Sequence, residues 1–435
     1  MTKNIFTIAL CLLTLGLFGQ SQVFSGKLVQ TNEYSQLDLF LKHYEIYQID
    51  AVSMHNFAMK SKAENLQFQL NLGTQHSFSL NLQENKIFKE GIQVRVVTEN
   101  GIEPGTLSKI KCYNGYTASD HKNVSLSMNN NLLFGFITTD EGEYFVEPLW
   151  HLIPDAPQDQ FIFYYAKDHI ETKEGKCGMT EAEEYGEKLH NKIQNTKGIA
   201  EGAPLGCKEV EIAEAADKLM SAKYFDQQGV EDRITSMINL VQANYYGSFN
   251  DDLTLIISEF FIVDKNGTDP WTPSTDPSAL LSSFRNWGPT NFGQHDVGEL
   301  FTNRDFDGGT VGIAYLSAVC TSNRYNCIQD WTNNLSLLRV TIAHELGHNF
   351  SCQHDGSGTP YIMAPAVNNT NTWSSTSITS FNNFVPSRTC LAACSGGGLP
   401  PEADFSANIL EGCKPLTVQF TDNSLHSPTS WNWTF

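Results

Sequence analysis

Apolar residues along this chain fall into three patterns, and each predicts a different kind of element. Near the N-terminus, Ile5 to Phe18 form an almost unbroken apolar run. Further on, Leu66, Phe68, Leu70 and Leu72 alternate with polar residues, Gly73 to Gln75 interrupt, and Phe78, Leu80 and Leu82 resume the alternation. Period-two spacing on both sides of a short break predicts a hairpin with one buried face, so the region 23–205 reads as β-rich at its start. Between Thr172 and Pro204, Lys, Glu and Gly replace large apolar residues, which predicts an exposed connector open to proteolytic nicking. From Cys207 strands and helices alternate. Val210–Met220 reads as strand passing into helix, and Ala222–Tyr246 as helix with Ile234, Met237, Ile238 and Val241 on one face. A strand at Leu253–Val263, a helix at Pro277–Trp287, a strand at Thr310–Val319 and a long helix at Leu335–Phe350 follow. That order predicts an α/β domain on a mostly parallel sheet. Ser395-Gly-Gly-Gly-Leu-Pro-Pro401 is a linker by composition, and Glu402 to Phe435 are strand-like but too few to bury a core.

Charge and cysteine content narrow the setting. A formal charge of -20 over 435 residues disfavours nucleic acid and anionic membrane surfaces as partners. Lys3 before the run Ile5–Phe18 gives residues 1–20 the make-up of a signal peptide, with cleavage near Gly19 to Ser21; a short membrane anchor is the alternative. No later stretch has the length of a membrane span, since Leu253–Val263 is short and contains Glu259. The expectation is a secreted, extracellular protein, and an oxidising compartment permits disulfides. The six cysteines Cys207, Cys320, Cys327, Cys352, Cys390 and Cys394 are enough for three bridges, whose pairing spacing alone leaves open.

The chemistry concentrates in His344-Glu345-Leu346-Gly347-His348, followed by His354-Asp355. Leu335, Leu338, Ile342, Leu346 and Phe350 recur every three or four residues and line one face of a helix. His344 and His348, four apart, stand together on another face, where two imidazoles can share one Zn²⁺. Glu345 adjoins the first ligand without taking a ligand position, so it is the candidate general base. His354 completes the set if the helix ends and the chain turns back. Three neutral imidazoles leave an open metal position, the arrangement of a catalytic zinc and not of a closed structural one.

Residues 344–355 resemble the extended zinc motif of the metzincins, and Asp355 resembles the reprolysin (adamalysin) branch. Tyr361-Ile362-Met363-Ala364-Pro365 is similar to that family's Met-turn, and Thr310-Val-Gly-Ile-Ala-Tyr-Leu316 to the strand that rims its substrate cleft. The resemblance covers roughly residues 207–394. It implies a metzincin catalytic domain over 206–394, with a twisted, mostly parallel sheet and a long active-site helix. Its activity would be a zinc endopeptidase's, with Glu345 activating water against a protein or peptide substrate laid along Gly312 to Leu316. Met363 would floor the zinc site and Asp355 would support it. Ser351 departs from the family, which usually has Gly where the helix exits.

Lys176-Cys177-Gly178-Met179 resembles the cysteine switch of reprolysin propeptides, in which Cys177 would take the open zinc position. A Cys177–Cys112 disulfide is the other reading. Cys112-Tyr-Asn-Gly115 and Tyr144-Phe-Val-Glu-Pro-Leu149 are similar to pieces of such a propeptide, which makes residues 23–205 an inhibitor of the chain's own enzyme. Asp305 and Asp307 before Gly308 admit Ca²⁺ or a solvated acidic loop, and His295-Asp296 reads as structural. Ala403-Asp-Phe-Ser-Ala-Asn408 with Trp431-Asn-Trp433 resembles the first half of a PKD domain, a β-sandwich truncated here at the C-terminus. A silent zinc-binding or adhesion protein on the same fold is the rival reading, although Glu345 and all three histidines are present.

Overall fold

The computed structural model describes residues 22–30, 34–61, 65–170, 174–178, 207–246, 248–249, 253–394, 405–407, 409 and 417–422. The segment expected to be a signal peptide, almost all of the connector after Cys177 and the linker 395–401 lie outside the described residues. Among the described residues no helix is long and apolar enough to cross a membrane.

The N-terminal part is a closed barrel. Its strands are β1 (Gln22–Leu28), β2 (Glu45–Gln48), β3 (Asn65–Leu72) and β4 (His76–Asn85), then, beyond a hairpin taken up below, β7 (Lys111–Thr117), β8 (Asn123–Asn129), β9 (Leu132–Thr139), β10 (Gly142–Pro148) and β11 (Gln160–Tyr165). The β3–β4 hairpin pairs Leu72 with His76, and Gly73 at the turn has φ 58°, a conformation that favours glycine. Strand alternation is used on both faces. Leu133 and Ile137 of β9 point into the barrel, whereas Phe134 and Phe136 join a second cluster outside it. One helix, α1 (Ala51–Lys60), covers part of the barrel and is capped by Asp50.

The omitted hairpin, β5 (Phe88–Thr98) and β6 (Gly101–Pro104), leaves the barrel and joins the other sheet. That sheet runs β12 (Lys176–Cys177), β16 (Thr310–Ala314), β17 (Tyr325–Gln329), β15 (Val297–Thr302), β13 (Lys208–Ala216), β14 (Leu253–Val263), β5, β6, with β18 (Ala392–Ala393) beside β13. Strands β14, β13, β15 and β17 are mutually parallel and β16 runs antiparallel to β17, so the mostly parallel sheet expected from the sequence is present.

Around it lie α2 (Lys218–Lys223), α3 (Gln227–Tyr245), α4 (Pro277–Asn291), α5 (Leu335–Asn349) and α6 (Ser375–Phe384). Three predicted elements differ in extent. The helix expected from Ala222 begins at Gln227, because Phe225 takes a left-handed turn (φ 72°) and Asp226 caps the new start by accepting from the Gly229 amide. The strand expected to Val319 stops at Ala314; the chain then turns at Ser317 (φ 56°) to cross the end of α5. Helix α4 runs to Asn291, beyond the expected Trp287.

Helix α5 is buried along its whole length, because the sheet takes one side and the barrel another. Phe134, Phe136, Phe145 and Ile162 of the barrel share one apolar cluster with Val230, Ile234 and Ile238 of α3 and with Leu338 and Ile342 of α5. Two disulfides form, Cys207–Cys394 and Cys320–Cys390, so three bridges are not made. Cys352 and Cys327 stay buried thiols. Nor is Cys177 joined to Cys112, which is buried in β7 with its Sγ 3.4 Å from Ser127 Oγ. At the C-terminus, β19 (Phe405–Ala407) and β20 (Phe420–Asp422) form one antiparallel pair.

Candidate metal centre

The centre is built where α5 ends. Asn334 caps the start of the helix, accepting from the Ser336 and Leu337 amides, and three turns later the helix presents His344, Glu345 and His348, all buried. Ser351 (φ 79°) sends its N–H to the His348 carbonyl while the Cys352 N–H reaches the Gly347 carbonyl. These two bonds are those of a helix stop with a left-handed residue just past its end, which turns the chain so that His354 faces the first two histidines. Serine in this conformation costs on the order of 1 kcal/mol, and its hydroxyl pairs with Ser317 Oγ at 2.9 Å. Ser351→Gly is therefore expected to keep stability within about 1 kcal/mol, relief offsetting the lost hydroxyl pair. Ser351→Val, β-branched in the same conformation, is expected to cost about 2 kcal/mol. Urea unfolding of both variants checks this.

The imidazole nitrogens themselves argue for a cation. His344 Nδ1 lies 2.7 Å from the Ile362 carbonyl and His348 Nδ1 2.7 Å from the Cys352 carbonyl. A carbonyl only accepts, so each Nδ1 carries the proton and each Nε2 presents a lone pair. Those lone pairs face each other. Nε2 of His348 is 2.9 Å from that of His344 and 3.3 Å from that of His354, and the His354–His344 distance is 3.2 Å. Two bare lone pairs 2.9 Å apart, with the His354 ring nitrogen beside both, make a cluster that a cation would relieve. Ligands about 2.0–2.1 Å from a tetrahedral zinc stand roughly 3.3–3.4 Å apart, and the triangle approaches that.

Burial suits the same occupant. It pushes His344 down to about 3, with His354 adding to the effect, and pushes His348 well below the usual histidine range; His354 is lowered less steeply by its partial burial. All three rings are therefore neutral, as metal ligation requires. Burial raises Glu345 to about 8. Its carboxyl lies against β16, where a Cβ at Gly312 would come within 2.5 Å of Glu345 Oε1. Gly312 thus makes room for Glu345, a role the sequence pattern did not single out.

Met363 is fully buried beneath the helix, and a Cβ at Gly347 would meet its Sδ at 2.7 Å. Asp355 donates its amide to the Met363 carbonyl and accepts from Ser374 Oγ at 2.6 Å, which ties the segment after His354 to the start of α6. Cys177 enters from the opposite side. Its Sγ is 3.5 Å from His348 Nε2 and 3.7 Å from Glu345 Oε2, and a single ligand atom from each of Cys177, His344, His348 and His354 lies within 4.8 Å of the others.

Other residues singled out in the sequence lie apart from the centre. Asp305 accepts from Gln329 Nε2 at 3.3 Å, and neither it nor Asp307 belongs to a group of three or more metal-capable side chains among the described residues. His295 contacts the Gly293 carbonyl and the Tyr325 hydroxyl, and Asp296 accepts from the Glu211 amide, both structural roles.

The three histidines, two on a helix packed against a mostly parallel sheet and one just past its end, have the donor set of a catalytic zinc site. Residues 207–380 match the metallo-peptidase family M12 model Reprolysin_5. The chain is 30% identical over 292 residues to a "Zinc metalloproteinase-disintegrin-like" protein of Cerberus rynchops, covering 63% of this chain and 45% of the relative. It is 27% identical over 305 residues to "Zinc metalloproteinase-disintegrin-like atrase-A" of Naja atra, covering 66% and 48%. Atrase-B of Naja atra is 27% identical over 302 residues, covering 66% and 49%. The chain thus spans about half the length of these curated relatives.

Proposed function

We propose that this protein is a secreted zinc endopeptidase made as a latent precursor, with residues 23–205 as propeptide and 206–394 as the catalytic domain. The observation that carries the reading is the triangle of histidine Nε2 atoms with Glu345 and Cys177 at its rim. His344, His348 and His354 hold the metal, and zinc in this setting supplies Lewis acidity at the open side of the site. Glu345 takes the proton from the attacking water and passes it to the leaving amine. An extended protein or peptide segment pairs with the edge of β16, and Gly312 leaves Glu345 access to it. Met363 and the Ile362 carbonyl hold the floor and the His344 ring, with Asp355 behind them. In the precursor β12 occupies that edge, pairing with Thr310 and Gly312, and brings Cys177 to the open side. Export is supported by the run Ile5–Phe18 and by two disulfides. Residues 402–435 fit the start of a PKD-like module, and the antiparallel pair β19–β20 is compatible with one.

The test is cleavage of a quenched short peptide by full-length protein, by Cys177→Ser and by processed protein, each with and without a chelator. Turnover by Cys177→Ser and by processed protein, abolished by chelator and absent from intact wild type, is the expected pattern. One equivalent of zinc with no turnover after processing would overturn the enzyme reading in favour of a silent zinc-binding protein.

A further inference from the structure

Resting on the propeptide reading above, we infer that the β5–β6 hairpin is a second lock, separate from Cys177, whose partner is the outer edge of β14. Cutting the connector alone then leaves the two parts joined and the site covered.

The hairpin is the one part of residues 22–170 that forsakes the barrel for the catalytic sheet among the described residues. Strand β5 pairs in parallel with β14, matching Gln93 to Glu259 and Val97 to Val263. The Ile257 amide donates to the Ile87 carbonyl at 2.7 Å and the Asp264 amide to the Val97 carbonyl at 2.9 Å, so the pairing is extended at both ends. Charge is matched along it. Lys89 Nζ lies 2.7 Å from Glu211, and Arg95 Nη2 lies 2.7 Å from Glu259 while its guanidinium stacks over Phe261.

With β12 on β16, the sheet of the catalytic domain is therefore bracketed at both edges by residues that precede position 179. The two contacts differ in character. The β12 contact is two residues long and places one thiol, whereas the β5 contact is a strand with two ion pairs and lies at the far edge from the zinc ligands. The shared apolar cluster that includes Phe136, Phe145, Ile234 and Ile342 adds to the second contact. None of these interactions runs through residues 179–206. Removing the hairpin would bare the backbone of a strand whose edge groups are now paired, which opposes its departure.

The experiment uses the full chain with a site-specific protease sequence placed within residues 184–200, nicked and passed over a sizing column without denaturant. The expected result is one complex, still unable to cleave a short peptide. Nicked Lys89→Glu/Arg95→Glu should separate roughly tenfold or more faster. Nicked Cys177→Ser should stay joined while gaining turnover. Hydrogen exchange supplies a readout should the double variant not fold: amides of residues 259–263 in nicked wild type should be protected as in the intact chain. Separation of nicked wild type on the column, an unchanged separation rate in the charge-reversed variant, or loss of that protection would overturn the second lock. Absence of turnover in every sample, separated ones included, would defeat the enzyme reading and leave the elution result standing by itself.

Discussion

Glu345→Gln is expected to lower kcat/KM for peptide hydrolysis by about 10²–10⁴-fold in the processed protein, with zinc still bound at one equivalent. The carboxyl does not complete the ring triangle, whose three distances involve only His344, His348 and His354. Its neighbours are Cys177 on the open side and the glycine backbone of β16, where a reacting peptide would lie. Glutamine keeps the shape of the side chain and fits the space that Gly312 leaves, so the change removes proton transfer and little else. Metal analysis beside steady-state kinetics separates the two effects. A variant that loses zinc would make Glu345 a structural support of the centre, and one within a few-fold of wild type would deny it the general-base role.

Arg339→Ala is expected to destabilise the full-length chain by about 2–3 kcal/mol, the loss of a charge-assisted fork to the half-buried Glu143 together with the packing of the guanidinium. Arg339 lies on α5 five residues before His344, is 1% exposed, and reaches across to the barrel. Its Nη1 and Nη2 lie 2.9 and 2.8 Å from the two oxygens of Glu143 in a forked pair, and a further bond goes to Asn371. The guanidinium also stands 5.3 Å from the ring centre of Phe136 and 5.7 Å from that of Phe145. Alanine removes the charge, the fork and the planar packing together. Arg339→Met fills the volume and should recover part of the loss. Urea unfolding reads both; an Arg339→Ala chain within about 1 kcal/mol of wild type would mean that the fork is solvated and contributes little.

The three-histidine cluster was legible because it is mostly local. A four-residue step on a helix puts His344 and His348 together by pitch alone, and the offset of His354 needs only one tight turn after it. Strand β14 was bounded correctly at Leu253 and Val263 because a short apolar run between polar stretches carries its own limits. The positive φ at Ser351 was anticipated for the same reason, since a helix that must reverse direction within a few residues passes through that conformation.

What covers a face was not legible. Glu231, Asp232 and Asn239 on α3 look like a solvated side, yet all are buried because barrel residues Ser108, Ser125 and Asn129 bond to them. Glu214 and Glu299 stand opposite each other on β13 and β15, and burial pushes both carboxyls up. Nothing in their local sequence marks them. Disulfide pairing was equally hidden, because it depends on where Cys207 and Cys320 come to rest beside Cys394 and Cys390. By itself the sequence determined which side chains share a helix face or a strand face, and with that the cluster of three histidines and the carboxyl of Glu345 beside it. Only the tertiary structure decided that β5 leaves its barrel for β14 and that Cys177 meets His348. Periodicity records the direction a side chain takes from its own backbone, whereas strand partners and face coverage are settled by distant segments competing to bury the same surface.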